Sequence, residues 1–313
     1  MRGTALLYSS HNRSEFIHNH FIVQRALRGR DNKRILFLPM SAMPRGGDEY
    51  ERQDYEWGTF RWYFDFYERY GLETVPFFWS SHFRGEDVDA LWHYLWTSEV
   101  VILGGGHSRT GMWRYKNIGE RFAGEWGKFG RLLHERQERG LLTVGFSAGA
   151  DQLAEHCFAH THSPGMDTDG FGLVRNAVVR LHHEPGDNGD LAEATWRHPH
   201  LVAFGLPNDS GIYVDQGVLP SGNRWQVIEP VVDASWDLPR DQYHIKTRQG
   251  AGVEMLAAGG RHWSFHGGER IVRIQSPDGR FHELWIDGGR GLRHFWSGRP
   301  SSYHSIEQVL ASH

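Results

Sequence analysis

Residues 141–153, LLTVGFSAGADQL, decide the reading of this chain. The apolar run Leu141 to Val144 predicts a buried strand, and Gly145-Phe146-Ser147-Ala148-Gly149 breaks it with a sharp turn. A helix-compatible stretch, Ala150 to Cys157, follows. Strand, tight turn and helix with Ser at the apex is the layout of a nucleophile elbow. The glycines remove the side-chain clashes that so sharp a turn creates. The helix N-terminus behind the Ser offers backbone N–H groups to a developing oxyanion.

The surrounding sequence supplies a sheet to hold that elbow. Thr4 to Tyr8, Lys33 to Pro39, Thr74 to Trp79 and Val100 to Leu103 read as further short apolar strands. Helical patterns over Phe16 to Leu27, Glu86 to Trp96 and Gly119 to Gly140 separate them. Apolar, non-alternating strands joined by helices imply a parallel sheet covered on both faces, a flavodoxin-like α/β arrangement. Ligands bind such sheets beyond the carboxyl ends of the strands. Both glycine turns, 104–106 and 145–149, are expected there. Arg45 to Tyr70 is rich in aromatics at near-helical spacing and reads as core and dimer surface, or as a lid over the Ser.

From about Leu219 the texture changes to short alternating segments between Gly-rich turns, such as Gly259-Gly260, Gly267-Gly268 and Asp287-Gly288-Gly289. This predicts antiparallel β structure. The expected organisation is an α/β catalytic unit over 1–218 and a β-rich C-terminal extension or small domain over 219–313.

Composition narrows the class. The chain has 313 residues, 39% of them hydrophobic, which suffices for a large core. A formal charge of −4 gives no nucleic-acid footprint. No apolar run approaches the roughly 20 residues of a membrane span. The single Cys157 excludes an internal disulfide, and the N-terminal stretch lacks a signal-peptide core. The expectation is a cytoplasmic protein, with a homodimer possible. Lysines are confined to Lys33, Lys116, Lys128 and Lys246, so positive charge is nearly all Arg, which suits carboxylate binding.

A Ser hydroxyl needs a base, and the base needs an orienting group. Ala177 to Leu181 reads as a strand with His182-His183 at its carboxyl end. His182 is the candidate base, and His183 points to the opposite side.

Four stretches now carry a family resemblance: VVILGGGHSRTGMWRY (100–115), VGFSAGADQL (144–153), GFGLVRNAVVRLHH (170–183) and AFGLPNDSGIYVDQG (203–217). Together they resemble the serine peptidases that include peptidase E and cyanophycinase, which are built on the class I glutamine amidotransferase-like fold. The resemblance implies Ser147 as nucleophile, His182 as base and the N–H groups of Gly106 and Ala148 as oxyanion hole. It implies a small peptide or isopeptide substrate cleaved beside an acidic residue, with no cofactor. His107 stands where the family usually has Asn or Asp-Gln, and with Arg109 it is a candidate for holding substrate. His162 stands where peptidase E has its triad Asp. Cyanophycinase-like members have a Glu in the stretch matching Pro207-Asn208-Asp209-Ser210. Asp209 is the nearest acid, and Asp167 and Asp169 are alternatives.

Three other readings compete. An α/β-hydrolase esterase would take its base from His294 or His304 and its acid from Asp233 or Asp237. A metal site could use His156, His160 and His162, the first two at i, i+4 spacing, joined by His182 and His183. No His-Glu-x-x-His string accompanies them, and the expectation is no metal. A catalytically inactive binding protein on the same fold is the third.

Overall fold

The computed structural model describes residues 2–10, 15–29, 32–44, 48–158, 169–184, 186–232, 252–278, 282–289 and 291–313. The first half alternates strand and helix. β1 (Arg2–Tyr8) is followed by α1 (Glu15–Ile17), a π-helical turn (His18–Val23) and α2 (Gln24–Arg28). Next come β2 (Arg34–Leu38), α3 (Glu51–Phe64) with a trailing 3-10 turn, and β3 (Glu73–Pro76). Then follow α4 (Gly85–Thr97), β4 (Val100–Leu103), α5 (Ser108–Ala123), α6 (Lys128–Glu138), β5 (Leu142–Phe146) and α7 (Ala148–Leu153). The rest comprises β6 (Ala177–Leu181), α8 (Gly189–Arg197), β7 (Val202–Leu206), β8 (Ser210–Val218) and β9 (Arg224–Val232). After them lie β10 (Val253–Ala257), β11 (Arg261–Phe265), β12 (Arg270–Gln275), β13 (His282–Asp287), β14 (Leu292–His294) and α9 (Ile306–Ser312).

Among the described residues the central sheet runs β14-β13-β12-β9-β8-β1-β5-β4-β2-β3. From β1 to β3 the pairing is parallel, and from β1 to β14 it is antiparallel. Alternate residues of β1, β2 and β4 enter opposite cores. Ala5, Leu7, Val101 and Leu103 pack in one cluster with residues of α4 to α7. Leu6, Tyr8, Val100 and Ile102 pack in the other with Ile17, Phe60 and Phe64. That two-sided burial is why these strands carry no polar alternation.

A second sheet, β11-β10-β7-β6, holds β6 and β7 side by side and parallel. The β-rich segment joins both sheets. β8 and β9 form a hairpin paired from Ser210↔Val232 to Val218↔Arg224, so position 218/219 falls at its turn. β12, β13 and β14 extend the central sheet, whereas β10 and β11 extend the second one.

Several expected elements differ in extent. The helix expected over Gly119–Gly140 is two helices. α5 starts at Ser108 and stops at Gly124, whose φ of 63° closes the end, and α6 begins at Lys128. The helix after the Ser stops at Leu153, because Ala154 turns extended and bridges to Val174. The aromatic segment is split between roles. Phe60, Tyr63 and Phe64 are buried, while Tyr55, Trp62 and Phe66 are exposed. No helix among the described residues is long and apolar enough to cross a membrane.

Candidate active site

β5 lies between β1 and β4, with Tyr8 beside Phe146 and Leu103 beside Gly145. The chain leaves β5 through Ser147, whose φ of 48° and ψ of −122° lie where L side chains are rarely found. Such a conformation costs on the order of 1–3 kcal/mol and persists only where the surroundings enforce it. Here the Ser147 N–H donates to Tyr8 O at 2.9 Å, and Ser147 O accepts from Ala150 N at 2.9 Å. The flanking glycines explain themselves. A Cβ on Gly145 would come within 2.3 Å of Gly149 O, and one on Gly149 within 2.1 Å of Leu103 O. The elbow is thus packed backbone to backbone, leaving Ser147 half-buried above it.

The second glycine turn touches the first. A Cβ on Gly105 would lie 3.3 Å from Ser147 Cβ and 2.8 Å from the Phe146 ring. Gly106 has φ 130°, and a Cβ there would sit 2.1 Å from Ser41 O. Among the described residues, no hydrogen bond takes up the N–H of Gly106 or of Ala148. His107 ends the turn. Its N–H donates to Ser41 O at 2.8 Å, and its Nδ1 accepts from Thr110 N at 3.3 Å, so it caps α5. Arg109 is exposed on the first turn of that helix. Arg114, further along α5, is buried. It donates to Met40 O and Ala42 O at 2.8 and 2.9 Å, which makes it a structural tie.

β6 and β7 end together at Leu181 and Leu206, so the residues beyond them meet. His182, with φ 53°, sits one position past β6 and is exposed. Its N–H donates to Ser9 Oγ at 2.8 Å, and Ser9 directly follows the Tyr8 that holds Ser147. Ser9 therefore couples the two backbones. Among the described residues no hydrogen bond joins the His182 ring to Ser147. His182 Nδ1 stands 2.5 Å from Asn208 Oδ1. An amide oxygen only accepts, so Nδ1 is the donor in this bond.

Asp209 lies elsewhere. It is buried, with φ 58°; its Oδ1 accepts from Ser10 Oγ at 2.8 Å and its N–H donates to the same oxygen at 3.1 Å. The bond to His182 expected of Asp209 is made by its neighbour Asn208, because the turn sends adjacent side chains to opposite sides. Burial and then the Asp209 charge hold the Tyr8 phenol well above its ordinary pKa. Asp169 is exposed and pairs with His156 Nδ1 at 3.1 Å, whereas Asp167 lies outside the described residues. Among the described residues, the non-glycine positions with positive φ are Ser147, His182, Asp209 and Asn176.

The remaining candidates fall away from the elbow. His183 is buried, with its Nε2 3.0 Å from Glu254 Oε2. Burial alone would raise that carboxyl, but hydrogen bonds from His183 and Gly186 N–H outweigh it and hold the pKa below the ordinary value. His294, on the far-edge strand β14, pairs with Glu283. His304 lies beyond β14, its N–H donating to Gln308. Asp233, Asp237, His160 and His162 lie outside the described residues. Sequence reasoning passed over Asn208 and Ser9. The signal was the Asn next to the acid in Pro207-Asn208-Asp209-Ser210, since an amide can orient an imidazole as an acid does.

Neither a protein-family model nor a curated protein matches this sequence. Solved structures do. A peptidase from an acI-B1 actinobacterium superposes with a TM-score of 0.56 at 17% identity, over 86% of this chain and 96% of its own. A protein of Listeria monocytogenes EGD-e, provisionally assigned as peptidase E, has a TM-score of 0.44 at 13% identity, over 69% of this chain and 95% of its own. By the first of these likenesses, this chain has the overall fold of a solved peptidase.

Proposed function

We propose that the chain is a serine hydrolase of the peptidase E type that cleaves an amide bond, in a peptide or isopeptide, next to an acidic residue. The observation that carries this reading is the strained Ser147, held at the junction of β5 and α7 and tied through Tyr8 and Ser9 to the backbone of His182. Strain of this kind is retained where function needs it.

In this mechanism His182 Nε2 takes the Ser147 Oγ proton while Oγ attacks the substrate carbonyl carbon. The oxyanion that forms is stabilised by the N–H groups of Gly106 and Ala148. The imidazolium gives its proton to the leaving nitrogen, the C–N bond breaks, and an acyl ester remains on Ser147. Water, deprotonated by His182 Nε2, releases the acid product. Asn208 fixes the His182 tautomer throughout. Arg109, which has no hydrogen-bond or ion-pair partner among the described residues, holds the substrate carboxylate.

The test is covalent. A fluorophosphonate reagent is expected to label Ser147, and Ser147→Ala is expected to lose both the label and several orders of magnitude in turnover of Asp-X, β-Asp-X or γ-Glu-X peptides. Full turnover by Ser147→Ala sinks the proposal. Absence of both label and turnover in the native chain leaves an inactive binding protein.

A further inference from the structure

A second cluster of chemistry-bearing side chains lies at the opposite ends of β6 and β7 from His182 and Asn208. Glu155 follows α7; its N–H donates to Ala177 O at 3.1 Å, and its Oε2 accepts from Asn176 N at 2.5 Å. His156 comes next. From the turn between α8 and β7, His198 and His200 reach toward the same place. The rings of His156 and His198 stack at 4.8 Å, and those of His198 and His200 meet edge to face at 6.2 Å. A carboxylate oxygen of Glu155 and one ring nitrogen each of His156 and His200 lie within 4.8 Å of one another.

We propose that Glu155, His156 and His200 bind a divalent cation of the zinc class. Two imidazoles and a carboxylate are the donors such a borderline ion prefers, with water completing a tetrahedron. Asp169, 3.1 Å from His156 Nδ1, supplies the outer support usual for a ligating histidine. His200 Nε2 and Glu155 Oε1 stand 3.6 Å apart. Tetrahedral ligands on zinc stand about 3.4 Å apart, so little movement is needed there. The His200 side chain is 53% exposed.

The site's position sets its role. The strands β6 and β7 separate it from His182 by five residues of extended chain, roughly 16 Å. The ion therefore pins the end of α7, whose start carries Ser147, to the turn that feeds β7 and Asn208. Its contribution is to stability, not to the chemistry at Ser147.

The experiment is calorimetric titration of zinc chloride into the full chain, purified without a polyhistidine tag, alongside thermal melts. The expected result is one ion per chain at micromolar affinity, with Tm rising by a few degrees under excess zinc. His200→Ala and His156→Ala are each expected to weaken binding about tenfold or more, with Asp169→Ala about tenfold weaker. Both His variants should keep the native circular dichroism spectrum. Absence of saturable binding, or equal affinity in native chain and both His variants, overturns the proposal. Label incorporation at Ser147 is expected to be the same in native chain and His200→Ala, with or without zinc. Loss of label on zinc removal alone overturns the structural role.

Discussion

Asn208 Oδ1 lies 2.5 Å from His182 Nδ1, while the next residue, Asp209, turns its carboxylate to Ser10. The imidazole is thus oriented by a neutral amide, with a buried carboxylate one residue behind it. A Cys-His-Asn arrangement uses an amide in the same position.

This division of labour predicts different phenotypes for neighbouring substitutions. Asn208→Ala is expected to lower kcat by about 10- to 1,000-fold with little change in Tm, because the His182 tautomer is no longer fixed. Asn208→Asp should retain activity and shift the acid limb of the kcat profile upward, since a carboxylate favours the imidazolium. Asp209→Ala should destabilise by about 1–3 kcal/mol by removing the buried carboxylate that accepts from Ser10 Oγ, seen by denaturant melts. A kcat loss in Asp209→Asn larger than in Asn208→Ala would return the orienting role to the acid.

Gly106 is irreplaceable on steric grounds. Its φ of 130° and the 2.1 Å approach to Ser41 O leave no room for a methyl group. Gly106→Ala is expected to cost about 2 kcal/mol or more and to displace the N–H proposed as an oxyanion donor, lowering kcat about 100-fold or more. Gly58→Ala is the control. It lies inside α3 with nothing within 4 Å of the added Cβ, and should stabilise by up to about 1 kcal/mol. Equal Tm changes of the same sign contradict this account.

Arg109 tests the substrate class. Arg109→Ala is expected to raise KM for acid-bearing peptides about 10- to 100-fold, the worth of one charge-assisted contact, with kcat unchanged. Neutral amide analogues should show no such change. An equal rise for both moves the carboxylate contact to another residue.

Acid stability should depend on a residue far from Ser147. Arg273 is buried on β12, donating from Nε to His282 Nε2 at 3.2 Å, to Gln226 and to Asn176 O. Burial first, and then the Arg273 charge, pull the His282 pKa down to about 3. The unfolded chain protonates His282 near pH 6.5, and the folded chain does not. Between those values unfolding takes up a proton, so stability falls as pH falls, by about 1.4 kcal/mol per unit for this group. Native protein is expected to lose stability from pH 6.5 toward pH 4, with a shallower slope in His282→Gln. Denaturant melts at several pH values measure it, and identical slopes refute it.

Much of this architecture could be read directly from local sequence. The strand extents at β4 and β6, and the elbow glycines around Ser147, follow from apolar runs and from the steric demands of a turn. Those are short-range constraints. The two-helix break at Gly124 was missed because an exposed glycine inside an amphipathic pattern gives a weak signal. The C-terminal strands were readable as strands, but their sheet was not. Alternation fixes which face is buried, not which neighbour pairs with an edge.

Sequence alone determined that a serine sits on a tight strand-to-helix turn and that a histidine ends a later strand. Only the tertiary structure decided that β6 and β7 run side by side, so that Asn208, not Asp209, meets the His182 ring. Side-chain direction in a turn with positive φ depends on backbone torsions that long-range packing enforces. No pattern of residue types along the chain encodes them.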